Sequence, residues 1–199
     1  MTPNRMPNLN HNPNHSSDHS PDFHQGQEIV TLTDDSGYTL ACHVEKAITL
    51  SDSGPEYLLL LPVSAPVEIF SWQEEDETLA DIEDEEIDLL FPSARAVLAE
   101  LDLTLQQSAY TLTAVGNIPE ADDESCFALE VDDDGVTDNF QMLAQFYHAE
   151  QRYVACTPLE PLLFFAYRTA DTDTVTLLSP EEFQRLQPQI EDQLFEGLD

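Results

Sequence analysis

The residues best able to do chemistry in this chain are carboxylates that occur in short runs. Of 199 residues, 40 are Asp or Glu and 6 are Lys or Arg, so the formal net charge is −34. Such a surface attracts basic proteins and repels both phosphate backbones and anionic membranes. We therefore expect a basic protein partner, with no direct binding to nucleic acid or membrane. The candidate contact residues are Glu74, Glu75, Asp76, Glu77, Asp84, Glu85, Glu86, Asp122, Asp123, Glu124, Asp132, Asp133 and Asp134.

One acidic run, from Glu130 to Asp138, has part of the spacing of a calcium loop. Acids and Gly135 fall at suitable positions, but Gln141 stands where a calcium loop needs a bidentate Glu. The flanking segments also predict strands, whereas a calcium loop lies between helices. A hairpin turn at Asp132–Gly135 is the better interpretation, and we predict no cofactor or metal site there.

Cysteine and histidine form no catalytic pattern. Cys42, Cys126 and Cys156 lack paired spacing, and their odd number favours a reducing, cytoplasmic compartment over a disulfide framework. Cys42 and His43 are adjacent on a predicted strand, so they would point to opposite faces and could not act as nucleophile and base. No cysteine is predicted to be catalytic.

Familiar catalytic motifs are also missing, since the sequence has no phosphate-binding glycine loop, no Gly-x-Ser-x-Gly and no His-Glu-x-x-His. We expect a non-enzymatic interaction or accessory protein with no catalytic residues. One alternative is a nucleic-acid-mimicking inhibitor of a DNA- or RNA-binding protein, which would need carboxylates spaced like phosphates. The other is a hydrolase with a carboxylate active site, which would need a concave pocket holding an acid of raised pKa.

The elements that position these residues follow a tail. Residues 1–27 are rich in Asn, Pro, Ser and His and predict a disordered segment. Four histidines recur in it at helical spacing, but Pro13 and Pro21 oppose a helix, and whether the cluster binds metal stays open. The histidines are His11, His15, His19 and His24. No apolar run approaches the ~20 residues of a membrane span.

Residues 28–102 predict a first α+β module. Two β-rich runs, 29–33 and 38–44, flank a turn in which Gly37 supplies a positive φ. Strands from Glu56 to Pro62 and from Val67 to Gln73 follow, and a helix starts within the acidic segment and runs to about Leu101. Pro92 would kink or divide that helix, or would lie in the first turn of a helix that starts later.

Residues 103–199 predict a second, related module. Residues 103–115 alternate as one strand, and residues 126–131 and 137–148 flank the acidic turn. Strands at 153–158, 162–167 and 175–178 precede a helix with Ser179 as N-cap and Pro180 at its first position.

The two modules share a spacing that indicates an internal duplication. Tyr57 and Tyr153, each followed five residues later by Pro, are 96 positions apart, as are Leu98 and Leu194. The predicted fold is therefore α+β, with two tandem related modules, each a small antiparallel β-meander with one C-terminal helix.

The first module resembles the YrzB-like bacterial family of unknown function. The similar stretches are Ile29-Val-Thr-Leu-Thr-Asp-Asp-Ser-Gly37, Glu56-Tyr-Leu-Leu-Leu-Leu-Pro62 and Asp81-Ile-Glu-Asp-Glu-Glu86. The two-module layout over 28–199, behind a His/Asn-rich tail, looks like an uncharacterised family of cyanobacteria and plastids. The resemblance implies a soluble cytosolic protein, stromal in a plastid relative, and it carries over no catalytic or ligand residues.

Overall fold

A computed structural model of the chain describes residues 28–50, 54–73, 78–130, 137–169 and 174–195. The predicted tail at 1–27 and the acidic turn at 132–135 lie outside the described residues. The strands are β1 (Ile29–Thr33), β2 (Thr39–Thr49), β3 (Glu56–Pro62), β4 (Ala65–Gln73), β5 (Thr78–Ala80), β6 (Thr104–Ser108), β7 (Thr111–Val115), β8 (Cys126–Glu130), β9 (Thr137–His148), β10 (Gln151–Pro158), β11 (Phe164–Arg168) and β12 (Val175–Leu177), and the helices are α1 (Asp84–Ala99) and α2 (Pro180–Phe195).

The architecture is mixed but mostly β, with the strands in two antiparallel sheets. The first sheet has the order β1-β2-β3-β11-β12. The second has the order β6-β7-β4-β10-β9-β8, with β5 added beside β4. The β-content is larger than an α+β meander-plus-helix plan implies, since only α1 and α2 are helical in the part of the chain that the structure describes.

The prediction of one self-contained meander in each half differs from the observed pairing, because each sheet takes strands from both halves. Strand β3 pairs with β11, and β10 pairs with β4. The linker between β3 and β4 is two residues long and is bounded by Pro62 and Pro66, while Pro158 and Pro161 stand at the link from β10 to β11. Proline lacks an N–H donor, so these links favour passage into the other sheet over a tight hairpin.

The two exchanged pairings have the same register. In the first sheet Leu60 is opposite Phe164, and in the second Cys156 is opposite Glu68. Each residue of one pair lies 96 positions from its counterpart in the other. The spacing read from the sequence therefore reappears in the hydrogen-bonded pairing of the sheets.

Strands β2 and β9 each carry a β-bulge, and the two bulges lie at matching positions. Pairing of β2 with β3 skips Glu45, and pairing of β9 with β10 skips Leu143. These two residues are 98 positions apart, as are Gly37 and Gly135, which precede them in the sequence. Bulges fix register and bend a strand locally, so the two sheets bend at the same place.

Residues 103–115 form a hairpin of β6 and β7, so the prediction of a single strand is wrong. Ser108 pairs with Thr111 around a turn in which Tyr110 has φ 66°. Tight turns with positive φ usually contain Gly or Asn, and positive φ is uncommon for a tyrosine. Because this turn has neither Gly nor Asn, its residue types do not predict it. The turn packs on the other sheet: Ala109 is buried in its core, and Tyr110 donates a hydrogen bond to the Thr33 carbonyl.

Helix α1 covers the second sheet. Leu90, Ala94 and Leu98 are fully buried against residues of β4, β6 and β10. Pro92 lies inside the helix at an exposed position, and the helix continues through it without being divided. Helix α1 begins at Asp84, within the acidic segment where the sequence predicts its start. The short strand β5, which pairs with β4 just before the helix, was not predicted.

Candidate functional site

The structure describes six of the thirteen predicted contact carboxylates. Residues 74–77 and 132–134 lie outside the described residues. Asp84, Glu85 and Glu86 form the first turn of α1, where their charge complements the positive end of the helix dipole. The run at 122–124 lies in an exposed turn before β8 and lines neither of the cavities found near α1.

The three acids at the start of α1 differ in solvent exposure. Asp84 and Glu85 are exposed, whereas Glu86 is half-buried and accepts a 2.6 Å hydrogen bond from the Tyr153 hydroxyl. Burial, together with the Glu86 carboxylate, raises the pKa of Tyr153 to about 12. Glu86 therefore ties α1 to β10, and Asp84 and Glu85 are the two that a partner could reach.

Asp122 has a local structural role. Its Oδ1 accepts hydrogen bonds from the backbone N–H groups of Ser125 (2.8 Å) and Glu124 (3.1 Å). Hydrogen bonds from Ser125 lower the pKa of Asp122, so this carboxylate holds its own turn closed. Asp123 and Glu124 are the exposed members of this run.

A cavity of about 350 Å³ lies where the two sheets meet, which is within the usual range for ligand pockets. Its lining comes from residues 67–70 of β4, the start of α1, residues 110–112 of the β6–β7 hairpin and the start of β11. Most of these side chains are apolar, and Glu68 and Asp81 supply its carboxylates. A second, acidic depression shares Asp81 and Ile82 with it and continues along Glu83, Asp84 and Glu85. We call this continuous surface the α1 groove.

The sequence analysis assigned no role to Glu68, an acid that lines the apolar part of this groove. Burial raises the pKa of Glu68, and the nearby carboxylates of Asp138 and Asp81 raise it further. One feature of the sequence points to Glu68. The residue 96 positions later is Phe164, so a charged residue stands in β4 where β11 has an apolar one. Both residues line the cavity.

Two of the cysteines are buried and free. Burial raises the pKa of the Cys42 thiol to about 11 and raises that of Cys156 as well, so both stay protonated at neutral pH. Within the described ranges, no three His, Cys, Asp or Glu side chains are placed to hold a metal ion. No helix there combines the length and apolar character that crossing a membrane requires.

Comparison with known proteins gives one family match. No curated protein and no solved structure matches the chain. Residues 102–197, which run from the start of the β6–β7 hairpin through α2, match the model of a family described as protein of unknown function, DUF3727.

Proposed function

We propose that this protein is a non-enzymatic accessory protein that binds a basic protein partner through the α1 groove. The observation that carries the proposal is the continuity of two surfaces: an apolar cavity holding Glu68, and an acidic depression along residues 83–85, joined at Asp81 and Ile82. An apolar centre with a charged rim is the usual anatomy of a protein-binding surface. The net charge of −34 would also speed the approach of a basic partner at low salt.

Affinity capture from the native lysate tests this proposal. The wild-type chain should retain a basic protein at low salt and release most of it as ionic strength rises. A variant with Asp84→Asn and Glu85→Gln should retain much less. A variant with Glu100→Gln and Asp102→Asn removes the same charge at the other end of α1, outside the groove, and should behave like wild type. Equal capture by both variants would rule out the α1 groove as the binding surface.

The same experiment separates the nucleic-acid-mimic alternative. A captured DNA- or RNA-binding protein that nucleic acid displaces from the chain would support mimicry of phosphates. A captured protein that nucleic acid leaves in place would support the accessory role. In both outcomes the partner is a basic protein. The outcomes differ in whether the acidic surface occupies the nucleic-acid site of that partner.

One observation favours the hydrolase alternative as a second candidate. Glu68 is an acid of raised pKa in a concave pocket, the arrangement that a general acid requires. A hydrolase would show turnover of ester or glycoside substrates that Glu68→Gln abolishes. We expect no such Glu68-dependent turnover from the purified chain.

We also infer that the chain arose by internal duplication, with β4 and β5 of the first copy exchanged for β11 and β12 of the second. The equal registers at Leu60–Phe164 and Cys156–Glu68 and the matching bulges support this inference. Because each sheet then depends on both halves, backbone amides of β3 and β10 should share one opening free energy in native-state hydrogen exchange. Two separate values would instead indicate independent tandem modules at 28–102 and 103–199.

The finer family assignment is a proposal of the same kind. The stretches at 29–37, 56–62 and 81–86 support a YrzB-like origin for the first module. The layout supports a cyanobacterial or plastid family, and with it a cytoplasmic or stromal location. Fractionation of source cells would test the location directly.

A further inference from the structure

The apolar part of the α1 groove lies at a gap in a sheet edge. Ser71 of β4 pairs with Tyr153 of β10 on one side and with Ala80 of β5 on the other. Strand β7 lies on the same edge as β5, because β4 separates β7 from β10 in the sheet order. On that edge β7 pairs with β4 as far as Val67, and β5 begins only at Ser71.

Residues 68–70 of β4 therefore have no ladder partner on this edge among the described residues. Three strand residues span roughly 10 Å, which is long enough for a short extended segment to add its own hydrogen bonds. Unpaired edge groups of this kind are a template for strand addition. The gap is closed at both ends by β7 and β5, so it admits a short segment and excludes a long strand.

Side chains from both faces of β4 reach the gap. Val67 and Ile69 belong to the apolar cluster under α1, whereas Phe70 belongs to the cluster on the other face of the sheet. Because side chains alternate along a strand, Glu68 shares the face of Phe70. A segment added here would meet an apolar surface on one face and a carboxylate on the other.

We propose that the gap at residues 68–70 binds an extended segment of the partner in which a Lys or Arg alternates with apolar residues. Its basic side chain would lie across from Glu68, since cross-strand neighbours of opposite charge stabilise a pair. Its apolar side chain would pack beside Ile69, under the start of α1. The proposal rests on the basic partner proposed above and adds the sequence pattern and backbone conformation of the bound segment.

Burial and charge make Glu68 suited to this role. Partial burial of its carboxylate, together with the nearby charges of Asp138 and Asp81, raises the pKa of Glu68 and disfavours its ionised form. An arriving guanidinium or ammonium group would relieve that repulsion. Tyr110 and Phe164, which also line the cavity and contact each other, offer aromatic faces to the same cation.

The test is binding of the three-residue peptide Val-Arg-Val, labelled with a fluorophore at its N-terminus and amidated at its C-terminus, to the full chain, followed by anisotropy; three extended residues match the length of the gap. Glu68→Gln should weaken binding about tenfold, as removal of a charge-assisted contact does. Glu100→Gln makes the same charge change at the far end of α1, outside the groove, and should weaken binding less than about twofold. The same peptide N-methylated at its backbone amides should also bind about tenfold more weakly, because strand addition needs backbone N–H groups.

A second readout keeps the proposal testable if a variant folds poorly. In the wild-type chain the peptide should shift the amide resonances of Glu68, Ile69 and Phe70. Tight binding that neither Glu68→Gln nor N-methylation affects, with those resonances unmoved, would overturn the gap as the site. If that binding still requires Asp84 and Glu85, the partner proposal stands without the gap. If no basic peptide and no basic protein binds at low salt, both proposals are wrong.

Discussion

The two sheets place different chemistry at the same position. In the first sheet Arg168 of β11 is paired across the strands with Glu56 of β3 and also bonds Glu28. In the second sheet the corresponding positions, 96 residues away, are Trp72 and Arg152, and the guanidinium lies 3.8 Å from the centre of the Trp72 ring. The first sheet thus uses ion pairs where the second uses a cation–π contact.

A second difference concerns the helices. The second sheet is covered by α1, whose Leu90 is fully buried. The corresponding residue of α2 is Leu186, which is only half-buried, and no side chain from residue 180 to 189 is fully buried. The matching strand pairing of the two sheets is therefore not accompanied by equal burial of their helices. The candidate groove lies on the second sheet, beside the helix whose apolar face is buried.

Truncation of the two corresponding leucines should give the largest effect and the sharpest contrast. Leu90→Ala leaves a cavity under α1 and should lower the free energy of unfolding by about 2–5 kcal/mol. Leu186→Ala removes a half-buried side chain and should lower it by about 1 kcal/mol or less. Urea denaturation of both variants measures the difference. Equal losses would mean that α2 packs on the first sheet as firmly as α1 packs on the second.

Local signals made much of the chain predictable. The hairpin at Gly37, which has φ 87°, and the start of α2 follow from nearby residues. At α2, the side chains of Ser179 and Glu182 accept hydrogen bonds from each other's backbone N–H groups, which forms a capping box at the N-cap that the sequence predicts. Spacing within a few residues fixes such features, so no knowledge of the rest of the fold is needed.

The features that sequence reasoning missed depend on distant residues. Periodicity identifies β3 and β4 as strands, but it does not say which strand lies beside each, so the exchange between sheets stayed hidden. The turn at Tyr110 is held by its bond to Thr33 and by burial of Ala109 in the other sheet. The role of Glu68 likewise depends on Asp81, Asp138 and the unpaired edge of β4.

Removal of the ion-paired arginine should have the next largest effect. Arg168→Met keeps much of the side chain's volume but leaves Glu28 and Glu56 without their cation, and should cost about 1–2 kcal/mol of stability. Arg168 lowers the pKa of Glu28 below its ordinary value of 4.5. Stability from this bond is therefore present above pH 4.5 and is lost as the pH falls through the lowered pKa.

Urea denaturation across pH and salt measures this effect. The difference between wild type and Arg168→Met should be greatest near neutral pH and should shrink both in acid and in about 1 M salt, which screens partly exposed ion pairs. A difference independent of pH and salt would show that Arg168 stabilises the sheet by packing alone.

The matching substitution on the second sheet should cost less. Arg152→Met removes a cation from the face of Trp72 but, among the described residues, deprives no carboxylate of an ion-pair partner. The expected loss is about 0.5–1 kcal/mol, the range for a partly exposed cation–π contact. Fluorescence of Trp72, the single tryptophan, should also change in the folded state. A loss larger than that of Arg168→Met would reverse the comparison between the sheets.

The smallest change in stability is expected at Glu68, and it should have the opposite sign. The folded-state pKa of Glu68 is raised, so its protonated form contributes stability below pH 4.5 that is lost as the pH rises through the raised pKa. Glu68→Gln removes the ionised form and should make the chain slightly more stable than wild type at pH 7, with the difference vanishing near pH 4. Thermal unfolding at the two pH values measures this.

A stabilising substitution that weakens peptide binding would show that Glu68 is kept at a cost to folding, as residues of binding sites often are. The stabilities of Glu68→Gln and Asp123→Asn at pH 7 should therefore differ, although both remove one negative charge. Equal stability would mean that relief of general charge repulsion explains the gain. In that case Glu68 would be one more surface acid, and the asymmetry between Glu68 and Phe164 would have no functional meaning.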